Sequence, residues 1–195
     1  MVYSILRFIA LVLCKIFFRL EVAGAEHLPK KGAFILASNH VSFLDPVALG
    51  VACPRKLNFM ARHDLFHNPI FSRLLSLCCT FPVKKGSADP GAFKKAMHLI
   101  KDGNPIVLFP EGRRSDYNDT SSIPQPGIGF LCSKLGVPVI PAFVKGSHIA
   151  LPKGAHFIRP AKISVCFGKQ ISVERRMPYQ DIAIKIMDNI RHLSC

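Results

Sequence analysis

Acidic residues are scarce in this chain, and several patterns that would indicate particular protein classes are missing. The 195 residues contain 12 Asp and Glu against 26 Lys and Arg, which gives a formal net charge of +14. No repeat period or run of one residue type occurs, which excludes solenoids and low-complexity tails. None of the seven cysteines forms a CxxC pair. Their odd number and apolar neighbours predict small core residues in a reducing compartment, not a disulfide framework or a zinc site.

Length and composition predict one globular domain. A chain of 195 residues with 49% hydrophobic and 19% charged residues can enclose one full core. The positive charge is dispersed, because 13 basic residues precede His98 and 13 follow it. Such an excess suits an anionic membrane surface or a phosphorylated substrate. Nucleic acid is not predicted as a partner, because no aromatic RNA-recognition motif or zinc-finger spacing accompanies the charge.

Residues 1–20 are strongly apolar but include Arg7, Lys15 and Arg19. On a helix these three residues fall within an arc of about 120°. Charges inside the segment disfavour a spanning helix, and the possible signal-peptide cleavage site is poor. We expect a helix in the membrane interface, with its basic side toward the lipid headgroups. The protein would then be membrane-associated on the cytoplasmic face, peripheral or monotopic. The alternative is an amphipathic helix packed on the protein's own core.

Residues 21–195 are expected to form a single domain in which short apolar runs alternate with helical periodicity. Strands are predicted at residues 32–38, 56–61, 105–109, 137–144 and 163–167, with a further strand start near Thr80. Helices are predicted at residues 46–52, 89–101, 127–135 and 179–193, and partly within 69–79. Residues 113–126 are expected to form a polar loop. The alternation predicts an α/β fold with a largely parallel central sheet flanked by helices, and active groups at strand ends.

The first candidate constellation lies after the strand at residues 32–38. His40 and Asp45 are five residues apart, so on one helix they would point about 140° away from each other. They can meet only if His40 lies in a loop and Asp45 at the start of the next helix. A carboxylate then fixes the imidazole tautomer, while the other ring nitrogen removes a proton from an attacking hydroxyl. The alternative is that Asp45 only caps the helix that begins at Pro46, and the two roles are compatible.

The second candidate constellation follows the strand at residues 105–109. The chain places a carboxylate, a glycine and two guanidinium groups there, in the order Glu111-Gly112-Arg113-Arg114-Ser115. The planar fork of Arg matches two phosphate oxygens, and Gly lets the backbone approach a ligand closely. The alternative is a turn with a solvated Arg pair.

Taken together, the two constellations resemble the glycerophospholipid acyltransferase superfamily, whose first motif is HX4D and whose third is FPEGTRS. The similarity runs from about Val22 to the strand near Phe167 and is closest to the 1-acylglycerol-3-phosphate (lysophosphatidate) acyltransferases. The resemblance implies transfer of a fatty acyl chain from acyl-CoA or acyl-carrier protein to the free hydroxyl of a membrane lysophospholipid. The implied acceptor is 1-acylglycerol-3-phosphate, which would give phosphatidate. The resemblance implies no bound cofactor and no metal.

The resemblance also implies roles for individual residues. His40 would be the catalytic base and Asp45 its partner. The implied substrate-binding set consists of Lys85, Glu111, Gly112, Arg113, Arg114 and Ser115, with Arg114 holding the acceptor phosphate together with Lys85 and Arg113.

Three departures from the family pattern concern the acceptor. Lys85 stands where the family usually has Arg, and Arg113 replaces the usual Thr. A basic stretch before the helix at residues 127–135 is replaced by Gln125-Pro126-Gly127. Other lysolipids, such as lysophosphatidylethanolamine or a lyso-ornithine lipid, are therefore alternative acceptors.

The histidines outside the first motif offer a different chemistry. His63 and His67 are four residues apart and could bind zinc in the manner of the HExxH peptidases, but Asp64 replaces the Glu and no third ligand is evident. The remaining histidines lack a partner pattern and are expected to be surface or core residues; they are at positions 27, 98, 148, 156 and 192. A zinc hydrolase and a non-catalytic protein that binds anionic membranes are the alternatives from other classes.

Overall fold

A computed structural model describes residues 2–84, 89–117, 122–174 and 176–193. Its strands are β1 (Glu21–Ala23), β2 (Ile35–Ser38), β3 (Asn58–Arg62), β4 (Thr80–Val83), β5 (Ile106–Leu108), β6 (Val139–Lys145) and β7 (Ser164–Phe167). Its helices are α1 (Val2–Phe18), α2 (Asp45–Ala52), α3 (Pro69–Leu77), α4 (Pro90–Lys101), α5 (Pro126–Leu135), α6 (Ser147–Ala150) and α7 (Tyr179–Arg191). Short 3-10 helices lie at Ala25–His27 and His63–Phe66.

All of these strands belong to one sheet in the order β1-β7-β6-β2-β5-β3-β4. Neighbouring strands are parallel except β6 and β7, which are antiparallel. The predicted α/β fold with a largely parallel sheet is therefore confirmed. The chain leaves β5 on one side of β2 and enters β6 on the other, so a topological switch point lies at β2. Open α/β sheets bind their ligands at such a point, beyond the carboxyl ends of the strands.

The sheet is covered by helices on both faces, which explains why its central strand is a continuous apolar run. Leu36 belongs to the core that contains residues of α1 and α2, whereas its neighbour Ile35 belongs to the core formed with α4, α5 and α7. This alternation follows from the two-residue period of a strand. It fixes β2 rigidly, and the loop that follows β2 starts from a well-defined position.

Local signals in the sequence set several helix ends. Asp89 is the N-cap of α4, because its side chain accepts hydrogen bonds from the N–H groups of Gly91 and Ala92 at 3.0 and 3.1 Å. Gly136 ends α5 in the left-handed conformation, at φ 61°. The short elements β1 and α6 were not predicted. The cysteine prediction is wrong for Cys166 in β7, which is disulfide-bonded, whereas Cys14, Cys53, Cys78, Cys79 and Cys132 are free.

Helix α1 packs one side on the domain and exposes the other. Cys14 and Phe18 are buried on the inner side. Arg7 is also directed inward, and its guanidinium donates hydrogen bonds to the carbonyl oxygens of Gly50, Val51 and Cys53 at 3.0, 3.1 and 2.8 Å. The prediction that the basic side of this helix faces lipid headgroups is therefore wrong for Arg7, which binds the C-terminus of α2.

The outer side of α1 is apolar. Its exposed side chains are at least 38% accessible and comprise Val2, Ile5, Phe8, Ile9, Val12, Leu13, Ile16 and Phe17. Within the described residues, α1 and the other helices are all too short or too polar to cross a membrane.

Candidate active site

The two predicted constellations meet at the carboxyl ends of β2 and β5. Residue pairs such as Ala37 and Leu108 lie opposite each other in these parallel strands, so the loops that follow leave the sheet side by side. Two hydrogen bonds join the loops. The backbone N–H of His40 donates to Oε2 of Glu111 at 2.9 Å, and the backbone N–H of Ser115 donates to the carbonyl oxygen of His40 at 2.8 Å.

His40 and Asp45 form a hydrogen-bonded pair, as the spacing required. The distance from Nδ1 of His40 to Oδ2 of Asp45 is 3.0 Å. Asp45 is fully buried at the N-terminus of α2, where the helix dipole stabilises a negative charge. An ionised carboxylate can only accept, so Nδ1 carries the proton and Nε2 presents its lone pair. Among the described residues Nε2 has no hydrogen-bond partner, and the His40 side chain is 16% exposed.

Asp45 does not act as a simple helix cap. Helix α2 begins at Asp45 itself, and the residue at its N-cap position makes no side-chain capping bond. The carboxylate reaches backward instead, and its Oδ2 also accepts from the N–H groups of Val41 and Ser42 at 2.7 and 2.8 Å. The alternative of a cap alone is therefore wrong. The carboxylate binds two backbone N–H groups of the loop and the imidazole of His40, and so fixes their relative positions.

Two residues to which the sequence assigned no role support the position of His40. The ring of Phe109 stacks on the imidazole with centroids 4.2 Å apart and an interplanar angle of 20°. Asn39 accepts from the N–H of Val144 at 2.8 Å and donates to its carbonyl oxygen at 2.9 Å, which ties the end of β2 to β6. A polar residue directly after a buried strand was the available signal for Asn39. The stacking of Phe109 depends on strand register and left no local signal.

Three of the predicted substrate-binding residues serve the backbone of the loop. Glu111 is buried and accepts the His40 N–H. Gly112 has a φ of 63°, and a Cβ there would lie 3.0 Å from Cγ of Gln125, so the turn requires glycine. Ser115 is buried and donates to His40 through its backbone. The structure thus places these three residues where they shape the site from behind.

The predicted phosphate-binding cations are placed differently from one another. Arg114 leans toward the His40 loop, because its Cζ lies 3.6 Å from the centroid of the Phe43 ring. Phe43 itself is 53% exposed, so this pair forms part of the open wall of the site. Arg113 is exposed to solvent. Lys85 lies outside the described residues.

The geometry of His63 and His67 does not support the alternative of a zinc site. The ring centroids are 5.4 Å apart in an edge-on geometry, and His67 follows the 3-10 helix His63–Phe66 instead of sharing an α-helical face with His63. Asp64 is bound by Arg62, with Nε at 3.0 Å from Oδ1, and this hydrogen bond lowers the pKa of the Asp64 carboxyl. Within the described ranges, no group of three or more His, Cys, Asp or Glu side chains could hold a metal ion.

Comparisons with known proteins agree with this geometry. A 1-acyl-sn-glycerol-3-phosphate acyltransferase of Bacillus subtilis is 26% identical over 153 residues, which cover 77% of this chain and 73% of that protein. One of Streptococcus pneumoniae is 25% identical over 193 residues, covering 97% and 70%. A chloroplastic enzyme of this name from Arabidopsis thaliana is 30% identical over 147 residues, but this chain spans only 40% of its length.

The fold has a solved counterpart, and a family model covers the site. The crystal structure of the 1-acyl-sn-glycerophosphate (LPA) acyltransferase PlsC from Thermotoga maritima superposes with a TM-score of 0.72 at 21% identity, covering 97% of this chain and 78% of that one. At this identity the match shows the fold alone. The family model described as Acyltransferase matches residues 19–145, which include both loops of the site. The chain therefore belongs to the acyltransferase family.

Proposed function

We propose that this acyltransferase moves a fatty acyl chain from acyl-CoA or acyl-carrier protein to the free hydroxyl of 1-acylglycerol-3-phosphate, forming phosphatidate. The observation that carries the proposal is the buried Asp45 carboxylate bound to Nδ1 of His40, which leaves the lone pair of Nε2 to accept a proton. Arg114 contacts the ring of Phe43, which lies in the same loop as His40. The names of the bacterial relatives support the choice of acceptor.

The proposed chemistry is direct transfer. Nε2 of His40 accepts the proton of the lysolipid hydroxyl while the hydroxyl oxygen bonds to the thioester carbonyl carbon. The resulting intermediate collapses by breaking the carbon–sulfur bond, and the imidazolium returns its proton to the departing thiolate. Asp45 keeps the ring oriented and stabilises the imidazolium while it exists.

A covalent acyl-enzyme has no support in the local geometry. Ser38 and Ser42 are the hydroxyls nearest to His40 along the chain, each two residues away. The Oγ of Ser38 donates to Oδ1 of Asn39 at 3.3 Å, and the Oγ of Ser42 donates to the carbonyl oxygen of Leu151 at 2.8 Å and accepts from the N–H of Leu44 at 3.2 Å. A nucleophile would instead need to be hydrogen-bonded to the base. Burial raises the pKa of the Cys132 thiol to about 12, so this cysteine is a core residue and a poor nucleophile.

Acceptor recognition is assigned to Arg114, Arg113 and Lys85, of which Arg113 is exposed and Arg114 half-buried. Arg114 would donate two parallel hydrogen bonds to the acceptor phosphate, which is the geometry in which a guanidinium binds oxyanions most strongly. Lys85 and Arg113 would add positive charge. Because Lys85 gives a point charge where the family usually has Arg, lysophosphatidylethanolamine and a lyso-ornithine lipid are the acceptors to compare.

A direct assay tests the proposed activity. Purified protein is supplied with acyl-CoA or acyl-carrier protein and, in turn, with each of the three lysolipids, and the diacyl products are quantified. We expect phosphatidate from lysophosphatidate as the fastest reaction. Release of free fatty acid at the same rate without any lysolipid would contradict acyl transfer, and activity that depends on zinc would move the chemistry to His63 and His67.

We further propose that the outer side of α1 lies in the membrane interface on the cytoplasmic face. Burial of an exposed isoleucine or phenylalanine contributes about 1.5–3 kcal/mol, and eight such apolar residues are exposed on this helix. Exposed Lys15 and Arg19 near the end of the helix can meet anionic headgroups. Residues 21–195 would then be the catalytic domain that this helix presents to its lipid substrate.

Point substitutions on the outer side of α1 test this docking. Ile16 is 67% exposed, and Ile16→Asp should weaken binding to vesicles that contain anionic phospholipid by tenfold or more, because it removes an apolar contact and adds a negative charge. Ile184 on α7 is 41% exposed, and α7 covers the opposite face of the sheet from α1. Ile184→Asp is therefore a control of equal chemistry. Equal vesicle binding by the two variants would contradict docking through α1.

A further inference from the structure

Three buried side-chain atoms in the described residues lack a hydrogen-bond partner. They are Oδ1 of Asp45, Oγ of Ser147 and Nδ1 of His148. A buried polar group without a partner costs about 1–3 kcal/mol, so each such group in a native structure calls for an explanation. One of the three is the second carboxylate oxygen of the residue that holds His40. The other two belong to α6, to which neither the sequence nor the proposed chemistry assigned a role.

The three atoms come from segments that are fastened to each other. Helix α6 follows β6, and Asn39 binds both backbone groups of Val144 near the end of that strand. On the far side of α6, the carbonyl oxygen of Leu151 accepts from Ser42 Oγ at 2.8 Å. The loop that runs from Asn39 to Asp45 is thus attached to the chain both before and after Ser147 and His148. The first turn of α6 is therefore held near the loop that carries the catalytic pair.

His148 has a fixed ring and an electrostatic link to Asp45. Its imidazole stacks on the ring of Tyr117, with centroids 3.7 Å apart and an interplanar angle of 14°. Tyr117 is two residues beyond Ser115, which binds the backbone of His40. Burial lowers the pKa of His148, while the charge of Asp45 acts in the opposite direction, so the two groups are within electrostatic reach of each other. A neutral imidazole can present Nδ1 as a donor.

We propose that His148 is a positioning residue for the catalytic pair, and that Nδ1–H of His148 and the hydroxyl of Ser147 hold Oδ1 of Asp45 through one shared water molecule. The water would accept from His148, donate to Asp45 and donate to Ser147, and three bonds is the usual number for a buried water. Oδ2 of Asp45 already accepts three hydrogen bonds, from His40, Val41 and Ser42. A hydrogen bond at Oδ1 would give both carboxylate oxygens partners and stop the group from rotating away from His40.

This inference rests on the proposed function, and its consequence is kinetic. A carboxylate held at both oxygens keeps His40 aligned during proton transfer, whereas neither substrate touches His148 in this scheme. Loss of the donor should lower kcat and leave KM unchanged for the acyl donor and for the lysolipid. A hydrogen bond to a charged group is worth enough for an effect of about tenfold.

Two substitutions distinguish the contribution of the His148 N–H donor from that of its stacking on Tyr117. His148→Phe keeps an aromatic ring over Tyr117 but removes Nδ1–H, whereas His148→Asn keeps an N–H donor near the same place and removes the stack. We expect kcat to fall about tenfold in His148→Phe and to stay within about twofold of wild type in His148→Asn, even if the asparagine variant melts at a lower temperature. The reverse order, with phenylalanine active and asparagine impaired, would show that His148 only packs on Tyr117 and would overturn the inference.

A second measurement does not depend on turnover. The Nδ1–H proton of His40, assigned in the NMR spectrum by its loss in His40→Ala, reports on the bond to Asp45. Its resonance should move in His148→Phe and in Ser147→Ala, and should stay in place in His148→Asn. An unmoved resonance in both His148→Phe and Ser147→Ala would overturn the positioning role. If the variants show these shifts but the wild-type protein shows no acyl transfer, the proposed activity fails while the positioning of Asp45 stands.

Discussion

The loop that carries His40 and the loop that carries Arg114 leave neighbouring strands at the same edge of the sheet, yet they are held in opposite ways. His40 is fixed through its backbone, its Nδ1 atom and the face of its ring. Arg114 contacts one exposed phenylalanine, and Arg113 faces solvent. The site therefore combines an immobilised histidine with two arginines that make few contacts.

This difference matches what each loop has to do. Proton transfer needs heavy atoms placed to within a fraction of an ångström, so the groups around His40 are buried and hydrogen-bonded. Phosphate binding depends on charge and can be adjusted by long side chains at the surface. The departures from the family pattern all fall among the residues proposed for acceptor recognition, at Lys85, Arg113 and Gln125-Pro126-Gly127. Under the proposed function, the acceptor could change there without disturbing the environment of His40.

The largest expected effect tests the fixed side of the comparison. His40→Ala removes the general base, and kcat should fall by roughly 10²–10⁴-fold. Because the substitution also removes the hydrogen bond to Asp45 and the stacking on Phe109, the melting temperature should fall by a few degrees, and the assay is run well below it. The assay is initial-rate acyl transfer to lysophosphatidate at saturating donor. A variant with near-normal turnover would refute the mechanism.

The next effect tests the open wall. Arg114→Ala should raise KM for lysophosphatidate by tenfold or more, since a charge-assisted hydrogen bond to phosphate is worth about 1.5–3 kcal/mol. KM for the acyl donor should change much less. Lys85→Ala should act in the same direction but more weakly, because an ammonium gives less geometric discrimination.

A rise in KM for the acyl donor, instead of the lysolipid, would contradict the prediction for these two variants. CoA carries phosphates, and acyl-carrier protein is acidic. If KM for the donor rises in Arg114→Ala while KM for the lysolipid stays constant, the cations bind the donor. The acceptor assignment would then be abandoned in favour of a lysolipid without a glycerol-linked phosphate.

The smallest expected effect concerns Glu111. This residue lies in the same loop as Arg114, but its side chain binds the backbone of His40 in the other loop. Glu111→Gln keeps an oxygen for the His40 N–H but removes the charge, so the bond weakens by about half. We expect kcat to fall a few-fold, with KM for the lysolipid unchanged. A selective rise in that KM would mean that Glu111 contacts the acceptor, and that the two loops are less distinct than their contacts indicate.

The parts of the fold that the sequence predicted are those with local or periodic causes. Buried runs became β2 and β5, Asp89 became a cap, and the spacing of His40 and Asp45 required the loop-to-helix arrangement that is found. Contacts between distant segments left no such signal. His148 had no partner pattern because its contacts, Tyr117 and the region of Asp45, come from other parts of the chain. The inward direction of Arg7 was hidden for the same reason.

Arg7 also has a mechanical consequence. Helix α2 has eight residues and carries Asp45 at its first position, while the Arg7 guanidinium grips the carbonyl oxygens at and just beyond its other end. At 1.5 Å per residue this helix is about 12 Å long, and it joins the carbonyl groups that Arg7 binds to the carboxylate that binds His40. The position of Asp45 therefore depends on the contact between α1 and α2. Removing residues 1–20 should disturb the alignment of His40, in addition to any loss of lipid binding.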